Sequence, residues 1–411
     1  MEQSLKKTRT MPRDRELWKK MRTMRRNRNR DGKEEEKDKG ILLSGDTILF
    51  LPDELLQKVL SFLPFVNIIR LGIVCKRWYE VVHSSAPSSW AMMAPQKTLF
   101  FKPCFDGCTT FSGHLYDSGL LQWYNFGSPR LEKSLRCTSS SCGLVCLMNP
   151  SDGSRLFVGN PIKRDWKLLQ VPGHSTPNFN ALALSFDRCT RGYTVVVAKC
   201  IHTQLLGKFL QWHLSVHIYQ STTKSWATPF AQDLGHWQAG RYVVICDGVL
   251  YHFIYHLDLK IPRLVAFDLA KPPSSIQSLI QESIPTPCPF GCSGLLNLSN
   301  KLVMVGAVYD PPDEVWVILE LKEDKTWREV SQMPISMQKK LRRSDSINCC
   351  GAGDFIFMHT ALWPEILTFD MGQKVWAWSS HPYTEQLHLC FKPRSQFYYG
   401  FCFEPRFDIS P

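Results

Sequence analysis

Three cysteine pairs carry the spacing nearest to metal chemistry. Cys104 and Cys108, Cys142 and Cys146, and Cys288 and Cys292 each stand four residues apart. A structural zinc site usually takes tighter pairs, and it needs a second pair of cysteines or histidines to close the tetrahedron. Here the pairs fall in separate segments and lack companion histidines at that spacing. The 15 cysteines are also an odd number, and several (Cys75, Cys146, Cys246, Cys390) sit inside apolar runs. Buried free thiols are the simpler expectation, with no metal and no cofactor. His213 and His217 are also four apart, in WHLSVHIYQ, which reads as a strand. That spacing puts both on one strand face, as cross-strand or core histidines rather than a metal pair. No phosphate-cradling glycine loop, H-E-x-x-H helix or G-x-S-x-G elbow occurs. The chain is therefore expected not to be an enzyme, and its function must lie in what its elements bind.

The 411 residues are too many for one ordinary core, so separate cores or a repeat array are expected. No secretory leader or membrane span is expected. The first apolar stretch, ILLSGDTILFL (41–51), is interrupted by Gly45, Asp46 and Thr47, and is shorter than the roughly 20 residues of a spanning helix. The net charge of +12 is uneven: residues 1–40 hold 15 Lys or Arg against 8 Asp or Glu. The remainder is only mildly basic, which argues against a nucleic-acid-binding body. Residues 1–45 read as a disordered tail in which KKMRTMRRNRNR (19–30) meets EEEKD (34–38). The basic block admits two main readings, a solubilising tail or a nuclear import signal, so the expected location is the nucleus, the cytoplasm or both.

Residues 51–82 form the most helical stretch, within a module expected over 46–90. Pro52, Asp53 and Glu54 suit a helix N-terminus. Leu51, Leu55, Leu56, Val59, Leu60, Phe62 and Leu63 cover about half of the wheel that follows. Asp53, Glu54, Gln57, Lys58 and Ser61 fill the other half. A module this small cannot bury so wide a stripe alone, so part of it should face a partner chain. A second helix follows in FVNIIRLGIV (65–74), where Gly72 marks either weakness or a close approach. A third begins at Lys76, Arg77 and Trp78.

From about residue 98 the period changes to short Val, Ile, Phe and Tyr runs between turn residues, the signature of an all-β domain. One pattern recurs: a strand, a polar turn, then Trp. It appears in LYDSGLLQW, VGNPIKRDW, IYQSTTKSW, ILELKEDKTW and LTFDMGQKVW, ending at Trp123, Trp166, Trp226, Trp327 and Trp376. VAFDLAKPPSS (265–275) has the strand and turn without the Trp. Small-residue elements such as SSCGLVCLMN, CDGVLYHF and NCCGAGDFIFM precede most copies. A period near 45–50 with four strands predicts a β-propeller over 98–411, of about six blades within a range of five to seven. The five Trp would pack between neighbouring blades.

LPDELLQKVLSFLP (51–64), followed by IIRLGIVCKRWYEVV (68–82), resembles an F-box closely: Leu-Pro, a Leu-Leu helix ending in Leu-Pro, then Val-Cys-Lys-Arg-Trp. The Trp-terminated repeats resemble degenerate kelch repeats, with single glycines where the family usually has a pair. With SSCGLVCLMN and GFCFEPRFDISP, the arrangement is similar to plant F-box/kelch-repeat proteins, especially the group containing HAWAIIAN SKIRT. The resemblance implies a substrate receptor of an SCF-type ubiquitin ligase. A SKP1-like adaptor binds the F-box, a cullin and a RING protein follow through the adaptor, and an unidentified protein substrate meets the propeller. By position, Leu51, Pro52, Leu55, Leu56, Val59 and Leu60 would form much of the adaptor contact. Pro64, Ile69, Val74, Cys75 and Trp78 would complete or support it. The alternative is a scaffold that works without a cullin. Some kelch propellers are secreted copper oxidases, a chemistry not expected here.

Overall fold

The computed structural model describes residues 51–84, 98–104, 112–127, 137–149, 152–173, 179–204, 210–259, 262–273, 275–288, 293–310, 313–339, 347–360, 365–379 and 400–411. The basic tail, Cys108 and Cys292 lie outside them. The chain divides into two units, residues 1–52 and residues 53–411. The description below concerns the second, with Leu51 and Pro52 at the end of the first.

Three short helices come first: α1 Asp53–Ser61, α2 Phe65–Gly72 and α3 Lys76–Val82. Asp53 and Glu54 occupy the first turn of α1, where carboxylates favour the positive helix end. Pro64, extended at ψ 142°, separates α1 from α2. Arg77 of α3 donates through Nε and Nη2 to Asp53 Oδ1 at 2.9 and 2.7 Å. A Cβ on Gly72 would meet Val82 Cγ1 at 3.4 Å, at the edge of ordinary van der Waals contact, so no close approach demands the glycine.

Six four-stranded antiparallel sheets follow, each a blade. Blade 2 is typical: Cys137–Ser141, Leu144–Asn149, Asp152–Asn160 and Asp165–Gln170 pair in chain order. The first strands of the six blades neighbour one another in a closed ring. The ring closes by exchange between distant segments. Phe401–Phe403 is the first strand of blade 1 and pairs antiparallel with Leu99–Cys104, with Phe101 opposite Phe401 and Leu99 opposite Phe403. The exchange pairs the edge that Leu99–Phe101 would otherwise leave bare.

Local turn chemistry explains the repeats. The small-residue elements are hairpins between first and second strands. Cys142–Gly143, Asp247–Gly248 and Ser299–Asn300 all have positive φ, as a two-residue turn of the primed type requires. The polar turns before each Trp join third to fourth strands. Asp117, Asn160 and Asp370 accept two backbone N–H groups each at 2.8 to 3.2 Å. Leu121, Arg164, Lys224, Lys325 and Lys374 then take φ between 54° and 63° just before the fourth strand or within a residue of it. Blade 4, the copy without Trp, replaces this hairpin with helix α4 (Ile276–Gln281) and a fourth strand of only Ile284–Pro285.

Candidate docking face and propeller surfaces

The α1 stripe divides in two. Leu56 and Leu60 are fully covered, Leu60 at 0% exposure, and they join Phe65, Ile68, Val81 and Val82 in one core with Leu99, Phe101, Phe403 and Phe407 of the propeller. Two of the residues assigned to the adaptor, Leu56 and Leu60, are thus covered here by the chain's own propeller. The other half is uncovered. Leu55 and Val59 of α1 and Ile69 of α2 are exposed, Val74 is 63% exposed, and Phe62 reaches 73%. Ile73, between α2 and α3, is exposed as well. Phe62 and Ile73 were absent from the predicted contact set, although Phe62 lay on the apolar half of the wheel. Pro64 and Cys75 are half-buried where α2 and α3 begin, and Trp78 packs half-buried against the shared core. Leu51 is half-buried and Pro52 exposed.

The helices dock at one end of blades 1 and 2. Ile162, in the third-to-fourth-strand turn of blade 2, joins their core, as does Phe407. In an antiparallel meander the first-to-second and third-to-fourth turns share that end. The strand ends from which the remaining connections leave, among them Gln332 and Trp378, lie at the opposite end.

The five tryptophans recur at the start of the fourth strands, each in a cluster shared with the preceding blade. Trp327 donates to the Pro285 carbonyl at 2.9 Å, and Trp376 donates to Ser331 Oγ. Trp123 packs on Tyr116 and Trp226 on Tyr219, with centroids 5.0 and 5.3 Å apart. Trp166 borders the core beneath the helices. In blade 4, Ile276 and Leu279 of α4 fill the corresponding seam toward blade 3. The short fourth strand of blade 4 leaves an open groove of about 630 Å3 against blade 5, lined by Pro285, Val308, Val315, Val317 and Trp327.

The histidine pair is not brought together. His213 is exposed and 2.9 Å from Asp233 Oδ1. A register shift separates Val216 from Ile218, and His217 between them is buried against Thr228 Oγ1 (2.9 Å) and Ser215 Oγ (3.0 Å). Burial, with Lys199 nearby, pushes the His217 pKa down to about 4. Lys199 is itself buried and donates to the Pro172 carbonyl at 2.7 Å. Burial lowers its pKa to about 8, against the pull of Asp152. Cys142 and Cys146 are buried thiols whose pKa values burial raises.

The comparisons with known proteins agree with this geometry. Residues 48–88 match the F-box domain, and residues 88–343 match the β-propeller of F-box protein At3g26010-like. The F-box/kelch-repeat protein At3g61590 of Arabidopsis thaliana is 35% identical over 88% of this chain and 90% of its own length. This chain belongs to the F-box/kelch-repeat proteins. Within them it is also similar to the A. thaliana F-box/kelch-repeat protein At5g43190, at 25% identity over 80% of this chain and 81% of that one. Protein UNUSUAL FLORAL ORGANS of the same plant is 23% identical over 80% and 77%. The F-box model ends where the propeller model begins. The uncovered apolar side chains described above therefore all belong to the F-box.

Proposed function

We propose that this F-box/kelch-repeat protein is the substrate-recognition subunit of an SCF-type E3 ubiquitin ligase. One observation carries the reading. The F-box satisfies half of its apolar stripe on its own propeller and leaves Leu55, Val59, Phe62, Ile69, Ile73 and Val74 uncovered. A monomer gains nothing by exposing so many large apolar groups on so small a module, whereas a partner surface needs them. A SKP1-like adaptor is the partner that the family supplies, with cullin and RING protein following through it. The propeller selects a protein substrate and performs no chemistry. The substrate face is the end opposite the F-box, from which the connections between blades leave their strands, because binding residues usually concentrate on such loops.

The finer grouping with HAWAIIAN SKIRT rests on SSCGLVCLMN and GFCFEPRFDISP. Nuclear or cytoplasmic residence rests on the basic block at 19–30.

The test is affinity purification of the full chain beside a Val59→Asp/Phe62→Asp variant. The proposal expects adaptor and cullin with the first and neither with the second. Adaptor without cullin would favour a scaffold, and equal adaptor recovery from both would sink the docking face.

A further inference from the structure

The segment after the closing strand is bound from Arg406 to Ser410. From blade 2, the Asn160 side-chain amide donates to the carbonyls of Arg406 (2.7 Å) and Ile409 (2.9 Å). Lys163 donates to Ser410 Oγ at 2.5 Å. From blade 3, Arg191 donates to the Asp408 carbonyl. Ile409 is buried in the core between blades 2 and 3. Arg406 and Asp408 pair with each other, Nη2 to Oδ2 at 2.7 Å, and both are buried. An ion pair this dry is held by its geometry, because breaking it would strand a charge.

Between these anchors, Phe407 points the other way, into the F-box. Its ring lies 5.9 Å from Phe65 at the start of α2 and 4.7 Å from the His83 ring at the end of α3. His83 stacks in turn on Tyr79 at 4.1 Å. The backbone on either side of Phe407 is tied to blades 2 and 3, so the ring is a fixed peg. A peg touching the N-terminal end of one helix and the C-terminal end of the next constrains rotation as well as distance.

We infer that residues 404–410 are a strap that sets the orientation of the F-box on the propeller, with Phe407 as the positioning residue. The inference rests on the proposed function only for its consequence: the adaptor face and the substrate face are held at one angle. The orientation itself is a property of this chain alone. A receptor must present a bound substrate at a defined place relative to the partner that carries the reactive group, and a peg of this kind does so without a long connecting domain.

The experiment measures distances in the full-length chain. Bio-orthogonal spin labels at the exposed positions Lys58 (α1) and Lys271 (blade 4) are read by pulsed dipolar spectroscopy. The parent chain should give one narrow distribution. Phe407→Ala should broaden or shift it while the propeller circular dichroism and the adaptor dissociation constant stay within about twofold. His83→Ala removes only an exposed ring against the peg and should broaden it less. A broad distribution in the parent overturns the strap, as does an unchanged distribution in Phe407→Ala. If Phe407→Ala fails to fold, His83→Ala decides by the same criterion. Loss of adaptor binding by the parent chain would remove the proposed function and leave the distance result standing.

Discussion

Trp376 donates its indole N–H to the hydroxyl of Ser331, 3.0 Å away across the seam between blades 5 and 6. The indole is 8% exposed, so the bond replaces water that cannot reach it. Ser331→Ala should therefore cost about 1–3 kcal/mol by stranding a donor. Trp376→Ala, which also opens a cavity beside Phe369, should cost about 3–5 kcal/mol. Urea unfolding followed by Trp fluorescence checks the order of the two.

The divided α1 stripe predicts opposite phenotypes from adjacent leucine- and phenylalanine-class positions. Leu60→Ala should lower stability by about 2–5 kcal/mol, because it empties a site enclosed by helices and propeller. Phe62→Ala should leave the melting temperature nearly unchanged and weaken adaptor binding by about 2 kcal/mol, near thirtyfold. Calorimetric titration with purified adaptor, beside thermal melts, separates them. Equal loss of stability from both would show that the stripe is not divided.

Three buried histidines predict acid sensitivity. Burial, with Lys102 or Lys199 adding to it in two of them, lowers the pKa of His217 to about 4 and of His359 to about 3, and lowers that of His252. The unfolded chain holds each near about 6.5. Between those values the unfolded state binds protons that the native state refuses, so stability is present above about pH 6.5 and lost as the pH falls toward 4. The urea midpoint should fall between pH 7 and pH 5. His217→Gln should reduce the slope, and an unchanged slope would rule out His217 as a contributor.

Gly143 and Gly248 occupy the same place in two hairpins, at φ +86° and +75°, yet their surroundings differ. A Cβ on Gly248 meets nothing within 4 Å, whereas one on Gly143 meets Arg406 Cβ at 2.9 Å. Gly248→Ala should cost about 1–2 kcal/mol of left-handed strain. Gly143→Ala should cost about 1–3 kcal/mol more, because Arg406 must move. Hydrogen exchange should locate the extra loss at residues 404–408.

The propeller was legible because its repeats are written in local chemistry. An Asp or Asn that caps its own turn, a left-handed Leu, Arg or Lys, and a Trp two residues later are short-range features. Blade 4 was legible only as an incomplete copy, because α4 supplies Ile276 and Leu279 from outside the repeat. The F-box was legible as an apolar stripe of excessive width. Which half it buries was not, because Leu99, Phe101, Phe403 and Phe407 cover Leu56 and Leu60 from positions far along the chain. His213 and His217 were legible as one strand face: the strand that carries them keeps an unbroken register with Tyr193–Gln204, and the bulge opposite Val216 and Ile218 lies in its other neighbour.

The closing strand has a consequence for how the molecule is made. Translation delivers every other described strand of the ring before Phe401–Phe403. Until then, residues 99–101 present a bare backbone edge, and the apolar groups that will seat the F-box lack three of their phenylalanines, Phe401, Phe403 and Phe407. A nascent chain in that state offers an open strand to any neighbour on the same polysome. A stop codon between blade 6 and residue 401 would make the exposure permanent. Such a product would be a client for chaperones and proteases, not a weakened receptor.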